Sequence, residues 1–439
     1  SIFIAIPKKP GATECGQHRT ISLMSHMTKL LLRIIMMRNR RTISSEISEE
    51  QCGFVQGKGT RNAIFILRML AERAIEMQRD LYLCFIDYTK AFDTIKHEHM
   101  INILKALNVD GKDLRVITNL YWKQTATIRH ENEMGQPVKI KRGVRQGCVL
   151  SPDLFSLYSE YIMREIEGIP GIRVGGHNIN NLRYADDTVL IATSEKELQT
   201  LLDIIDRESE KVGLALNIKK TVAMVISKQI ETPKCELKLK NQALDQVQSF
   251  KYLGATITSD GRSSTEIRIR IAQAKNAFSE LSNILCNPRI SFKTRKRVLG
   301  CYITPILKYG SEAWTVNKKA TDKMNAVEMW FLRKMLKITY LDRITNEEVL
   351  RRAGEKRTLH RNIMKNQATF FGHILRRKQV ENVVITGKIE GKRSRGRQRE
   401  KITDCLCSWL QETPLRTISV VWDRGRYRAM VANAHGQGT

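Results

Sequence analysis

Apolar residues recur along this chain with two different periods, and each change of period marks a new element. Ile2-Phe3-Ile4-Ala5-Ile6 reads as a strand, and Met27 to Met37 as an apolar, helix-like stretch. From Asn62 to Gln78 the positions Ile64, Leu67, Leu70, Ala71, Ala74 and Ile75 fall on one helical stripe. Leu81 to Ile86 is an apolar run of strand length that ends in Asp87. Helices are predicted near 98–107, 111–122 and 152–166, with a β-type segment over 125–140 between them. Between Leu182 and Ala192, two apolar runs flank Asp186-Asp187, where a tight hairpin would turn. A helix over 194–211 and the strand Val222–Ile226 follow, then a hairpin-like stretch, Phe250–Thr258, with a turn at Ser259-Asp260-Gly261. Ser263 and Glu266 fit a capping box. They open a helix striped by Ile267, Ile271, Ala274, Phe278, Leu281 and Leu285. The chain stays helical and basic over 291–345, and 346–378 adds a helical pair. Residues 388–399 carry six Lys or Arg against one Glu and break the period, which predicts a flexible basic linker before a last helix at 401–411. No internal repeat is visible.

If the strands ending at Asp87 and beginning at Asp187 lie side by side, Asp87 and Asp186 converge on one rim. Carboxylates gathered at a hairpin tip are tolerable only when the tip is wet or holds cations. A solvated tip and a divalent-cation site both satisfy that condition. Charge changes the balance. Lys and Arg number 74 against 45 acids, a net charge of +29 and a pI near 9.9. Because the basic residues cluster, a polyanion partner is favoured over a merely solvated surface. Converging acids in so basic a chain point to hard cations with phosphate as the third party.

The 439 residues predict two to four domains, and a hydrophobic content of 42% predicts a folded protein. Nine cysteines stand singly, without zinc-ligand spacing or a disulfide framework, so reduced thiols in an intracellular compartment are expected. No apolar run reaches the roughly 18 residues of a bilayer span, so no membrane partner is expected. The chain opens at Ser1 inside a strand-like run, which reads as a fragment with something missing upstream.

Other stretches allow two readings each. Lys8 and Lys9 on a turn, followed by Arg19, either form an exposed basic loop or grip a triphosphate. His97 and His99 are metal ligands or exposed helix residues, and the lack of a nearby thiol favours exposure. The Gly-rich loop Arg142–Pro152 presents Gln146 and backbone amides of the kind that meet a base or a phosphate. Arg268, Arg270 and Lys275 lie off the apolar stripe, where they solvate the helix or follow a phosphate backbone.

The order of the motifs is more specific than any one of them. Phe85-Ile86-Asp87 with Ala91-Phe92-Asp93 comes first, then Arg145-Gln146-Gly147 with Leu150-Ser151-Pro152, then Tyr184-Ala185-Asp186-Asp187. Gly213-Leu214 with Asn217 and Lys220-Thr221 follows, then Tyr252-Leu253-Gly254. This series resembles the palm motifs of a reverse transcriptase. Gly143-Val144-Arg145-Gln146-Gly147-Cys148 and Phe85-Ile86-Asp87-Tyr88 resemble the non-LTR (LINE-type) retrotransposon branch. So do Pro7-Lys8-Lys9, Arg19-Thr20-Ile21-Ser22-Leu23, Phe371-Gly372-His373 and Gly391-Lys392-Arg393, and the resemblance covers nearly the whole chain. Thr20 departs from it, standing where a proline is usual. The endonuclease that normally precedes such a polymerase, a zinc-knuckle tail and the acid pattern of an RNase H domain are not seen in these residues.

The resemblance implies an α+β, right-hand polymerase fold: fingers over 1–80, an antiparallel-sheet palm over 81–262, a helical thumb over 263–345 and a basic C-terminal region over 346–439. It implies two Mg²⁺ ions, with Mn²⁺ as a substitute, held by Asp87, Asp186, the Tyr88 carbonyl and, less directly, Asp187. Lys8, Lys9 and Arg19 would hold the triphosphate, Phe92 would exclude a 2′-hydroxyl, and Gln146 with Gly147 would meet the incoming nucleotide. Lys220 would protonate or steady the leaving pyrophosphate, and Tyr252, Leu253 and Gly254 would grip the primer. Arg268, Arg270 and Lys275 on the thumb, and Lys392, Arg393, Arg395, Arg397 and Arg399 in the tail, would bind nucleic acid. The implied partners are an RNA template, a DNA primer or target DNA, and deoxynucleoside triphosphates, in a ribonucleoprotein of the nucleus or cytoplasm. Two other classes stay open. An RNA-copying RNA polymerase is disfavoured by Phe92 and the Tyr-Ala-Asp-Asp tetrad. A catalytically decayed element acting only as a nucleic-acid-binding protein is disfavoured by the intact acids.

Overall fold

The computed structural model describes residues 1–122, 124–130, 133–393, 395–396 and 398–436. At its centre lies a five-stranded sheet in the order Asp245–Gln246, Val222–Ile226, Leu81–Ile86, Asp187–Ala192, Asn181–Tyr184. The Leu81–Ile86 strand runs antiparallel to both neighbours, pairing Ile86 with Thr188 and Phe85 with Val222. Its side chains alternate between two cores, because successive Cβ atoms leave a strand on opposite faces. Leu81, Leu83 and Phe85 enter one core with Val189, Ile191, Met224 and Ile226. Cys84 and Ile86 enter the other with Leu190, Ala192, Ala223 and Val225. Burial on both faces is why these strands read as unbroken apolar runs rather than as alternating ones.

The helix Thr60–Glu76 covers the first face, and the helices His97–Ala106, Ser151–Met163 and Glu195–Val212 cover the second. A second sheet stands ahead of the first: Ile2–Pro7 pairs antiparallel with His18–Leu23 and parallel with Thr125–His130. The following helix, His26–Glu46, is capped by Ser25 Oγ, which accepts from Thr28 N, and outruns the predicted Met27–Met37 stretch at both ends. The helix turns Leu32, Ile35 and Ile43 inward, while Met27, Leu30, Leu31, Ile34 and Met37 remain exposed.

Several expectations change. The hairpin Ser249–Tyr252/Ala255–Thr258 turns at Leu253-Gly254, with φ of 47° and 83°, so Ser259-Asp260-Gly261 is its exit rather than its tip. Left-handed φ at both central residues matches the twist of the flanking strands. Ser263 makes no cap hydrogen bond: its Oγ accepts from Arg68 Nη1 (3.3 Å) and Thr315 N (3.2 Å). Glu266, fully buried, accepts instead from Thr256 N at 2.7 Å. His97, expected on an exposed face, is buried with Nε2 2.8 Å from Gly143 O.

The C-terminal region is docked on the rest of the chain. Gln367 Nε2 donates to Ser311 O (2.6 Å) and Trp314 O (2.9 Å), and Asn62 Nδ2 donates to Glu381 Oε1 (3.0 Å). The predicted flexible linker is a strap. Gly175 N donates to Lys388 O, Gln78 Nε2 to Lys392 O, and Arg399 Nη1 to Asp260 O. Arg393 pairs with the buried Glu76 carboxylate at 2.7 Å, and Lys401 with the same oxygen at 3.1 Å. A carboxylate taken out of water needs such partners. No helix among the described residues is long and apolar enough to cross a membrane.

Candidate polymerase site

The rim where the central strands end carries the three acids. Asp87 follows the middle strand, whose register with Asp187–Ala192 sets it beside the Asp186-Asp187 turn. Its backbone is held by the segment after Gly213: Asn217 N donates to Asp87 O (2.8 Å), and Thr89 N to Ala215 O (2.9 Å). A turn, in which Lys220 N and Thr221 N both donate to Asn217 O, then brings Lys220 Nζ to 3.5 Å from Asp87 Oδ2.

Tyr184 pairs with Asp187 across a two-residue tip, Ala185-Asp186, in which Ala185 is left-handed with φ of 60°. That tip is strapped from outside. Arg183 N donates to Glu50 O and Cys52 N to Arg183 O, while the buried Gln51 Oε1 accepts from Gly53 N (2.8 Å) and Ala185 N (3.1 Å). Gly53 lies so close that a Cβ there would stand 2.3 Å from Ala185 N. Below the tip, Arg183, 1% exposed, forms an ion pair with the buried Glu160 at 2.9 Å. Arg183→Met would leave Glu160 buried without its cation. It should destabilise the fold by about 3–5 kcal/mol, whereas Arg183→Met with Glu160→Leu should recover most of the loss in a denaturant melt.

The electrostatics show carboxylates crowded together and partly out of water. Burial, and then the Asp87 charge, pushes the Asp186 carboxyl above its usual range. The Asp187 carboxyl is raised to about 6 by desolvation first and by Asp186 and Asp87 after it. Arg19 acts on Asp186 in the opposite sense. Three hard oxygen donors that repel one another suit a divalent cation. Among the described residues, no three His, Cys, Asp or Glu side chains close into a ready-made metal cage. Other oxygen ligands would therefore have to complete the coordination.

Around the acids, the predicted residues fall into two groups. Lys8 is exposed, with Nζ on Gly16 O at 3.0 Å, and Lys9 is exposed on the same turn. Gln146 O accepts from Ser22 N, and Gly147, with φ of 94°, packs so that a Cβ would stand 3.2 Å from Ile21 Cγ2 and Ser22 O. The Gly-rich loop is thereby pinned to the strand that carries Arg19. Phe92 is half-buried, stacked on Phe155 at 4.2 Å and 18°. The Tyr88 ring is buried, its OH 3.4 Å from Ser209 Oγ.

The second group faces elsewhere. Tyr252 is buried against Phe85, ring centroids 5.7 Å apart, so its side chain is not free to grip anything. The tip, Leu253-Gly254, is partly exposed, and Tyr309 OH donates to Leu253 O at 2.7 Å. Arg270, expected to follow phosphates, is buried. It pairs with Glu266 at 2.6 Å, donates to Gly254 O, and stacks over Tyr309, because the Glu266 carboxylate beneath it needs a cation. Arg268 is exposed, and Lys275 lies over the Trp330 ring at 5.0 Å. In the strap, Lys392 and Arg395 are exposed, Arg393 and Arg399 are engaged as described, and Arg397 lies outside the described residues.

Sequence reasoning missed the supports. Gln51, Gly53, Arg183 and Glu160 hold the acid turn, and the buried Arg145 holds the Gly-rich loop through Gln124 Oε1 and Leu120 O, both at 2.7 Å. The one signal available was an Arg inside the apolar run 182–185.

A family model for reverse transcriptase (RNA-dependent DNA polymerase) matches residues 6–257, the stretch that contains all three acids and the whole central sheet. The chain belongs to the reverse transcriptase family. Its relatives come from non-LTR elements, the branch its motifs resemble. It is 26% identical over 311 residues to a retrovirus-related Pol polyprotein from the type-1 retrotransposable element R2 of Nasonia vitripennis, covering 69% of this chain and 29% of that one. It is 23% identical over 347 residues to the RNA-directed DNA polymerase from mobile element jockey of Drosophila funebris, covering 74% of this chain and 36% of the relative. This reverse transcriptase chain thus spans about a third of the length of the curated relatives it matches. An apo telomerase from Candida tropicalis, truncated from its C-terminal domain, is 14% identical with a TM-score of 0.42, covering 58% of this chain and 53% of that one.

Proposed function

We propose that this chain is an RNA-directed DNA polymerase of a non-LTR retrotransposon, extending a DNA primer on an RNA template with deoxynucleoside triphosphates. The observation that carries this reading is the convergence of Asp87, Asp186 and Asp187 on one rim of the central sheet, within a reverse transcriptase match. Asp87 and Asp186, with the Tyr88 carbonyl and Asp187 near them, would hold two Mg²⁺ ions, or Mn²⁺ in their place. Bound there, the ions supply charge neutralisation for the attacking 3′-oxygen and the leaving pyrophosphate.

The rest of the work falls to side chains of this chain. Arg19 offers the triphosphate a fork and Lys8 or Lys9 a point charge. Lys220, 3.5 Å from Asp87, is placed to steady the pyrophosphate or protonate it. Gln146 and Gly147 face the nucleotide, Phe92 lies under its sugar, and the Leu253-Gly254 tip bears on the primer through its backbone. Arg268 and Lys275, with Lys392 and Arg395 of the strap, supply phosphate contacts that act by counterion release. We divide the chain accordingly into fingers (1–80), palm (81–262), thumb (263–345) and a docked basic C-terminal region. The setting is a ribonucleoprotein inside the cell, with an endonuclease elsewhere in the full-length element.

Primer extension on poly(rA)/oligo(dT) with Mg²⁺ tests the reading. Deoxythymidine incorporation that chelation abolishes is the expected result. Duplex binding without incorporation in either Mg²⁺ or Mn²⁺ would favour the decayed, binding-only alternative.

A further inference from the structure

Of the described non-glycine residues with left-handed backbone, only one is aromatic: Phe54, with φ of 60°. A bulky L-residue adopts that conformation only when its surroundings impose it. Here the imposing contacts are visible. Gly53 is wedged against Ala185 N, and Gln51 Oε1 fastens both Gly53 N and Ala185 N, so the residues that lead into Phe54 are fixed against the acid turn.

Burial does not offset the strain, because Phe54 is 50% exposed. Its neighbours are the two aromatic residues that flank the acids. Tyr184, immediately before the Ala185-Asp186 tip, has its ring centroid 6.4 Å away at 37°, and the Phe92 ring lies 6.4 Å away at 88°. A strained backbone thus holds a half-exposed ring close both to the residue before the acid turn and to the proposed sugar-selecting residue. Neither core packing nor solubility accounts for that arrangement, and an exposed aromatic face is what a nucleobase stacks on.

We propose that Phe54 is a substrate-contacting residue, on whose ring the base pair forming at the catalytic acids stacks. The inference rests on the polymerase reading and adds a contact to it. Stacking uses the π-face that every base presents, so Phe54 strengthens nucleotide binding without selecting among the four bases.

The test uses substitutions that relieve the backbone while removing the ring. Phe54→Gly and Phe54→Asn both accept φ of 60°, and Phe54→Tyr keeps the ring. Each is assayed with the wild-type chain on poly(rA)/oligo(dT) for KM and kcat, and in a thermal melt. In Phe54→Gly and Phe54→Asn, the KM for deoxythymidine triphosphate should rise about tenfold, the size of one base–aromatic stack. Their kcat should stay within about threefold and their Tm should not fall, and Phe54→Tyr should behave as wild type. Wild-type KM in the Gly and Asn variants would overturn the proposal and leave the polymerase reading intact. A lowered Tm with kcat and KM both impaired would also overturn it, by making the ring a packing element. An inert wild-type chain would overturn both inferences together.

Discussion

Asp186→Asn and Asp87→Asn should each lower primer extension by roughly a thousandfold or more, while affinity for the template–primer duplex stays within about twofold. Each change removes a full negative charge from the rim and leaves its shape nearly intact. The loss therefore falls on stabilising charge that develops in the transition state, for which single-group deletions cost on the order of 10²–10³. Duplex affinity comes from basic residues spread over other surfaces, so it is insulated from the change. Asp187→Asn should cost less. Asp187 opens the strand after the tip, paired with Tyr184, and its carboxyl is raised by desolvation first and then by repulsion from Asp186 and Asp87. Extension rates and filter binding on the same preparations check the series. A tenth of the wild-type rate surviving in the Asp87 or Asp186 variant would remove that residue from the metal site.

What the sequence shows of this site follows from which forces act locally. The strands Leu81–Ile86 and Val222–Ile226 were readable to the residue because both faces of each are buried, so apolar runs begin and end where the sheet does. The acid turn was readable to within one residue: the tip is Ala185-Asp186, and Asp187 already belongs to the strand that follows. The supports beneath it were not. Gln51 and Ala185 are 134 residues apart, and Arg183 and Glu160 meet only after the sheet has packed on its helices. No local pattern announces such pairs.

Arg270 was misread for a related reason. An Arg one turn beyond a Glu looks the same whether the pair faces water or, as here, turns inward beneath the Leu253-Gly254 tip. The strap at 388–399 was misread because some of its anchors are main-chain carbonyls, those of Lys388 and Lys392, which any sequence offers. Composition alone pointed to a linker, and the buried Glu76 on another element decided otherwise.

Phe92→Val should raise ribonucleotide incorporation relative to deoxynucleotide by roughly 10- to 100-fold, with deoxynucleotide efficiency falling only several-fold. Specificity of this kind comes from a clash built against the wrong substrate, and removing the bulk admits the 2′-hydroxyl without creating an attraction for it. The structure gives Phe92 a second task that must be separated from the first. One face of the ring is stacked on Phe155 at 4.2 Å, and its backbone carbonyl accepts from Val144 N at 2.8 Å. Truncation will therefore also destabilise the fold. Losing the stack and opening a partial cavity should cost about 1–3 kcal/mol, less than for a fully buried ring because Phe92 is only half-buried. Stability loss alone lowers both incorporations in proportion and leaves their ratio fixed. Loss of the steric block moves the ratio whatever happens to the melting temperature. Phe92→Tyr sharpens the comparison, since it keeps the ring and the stack and should keep the preference for deoxynucleotides. Both efficiencies and the Tm, measured on the same three proteins, distinguish the roles. An unchanged ratio in Phe92→Val would leave Phe92 as a packing residue and reopen the RNA-copying alternative.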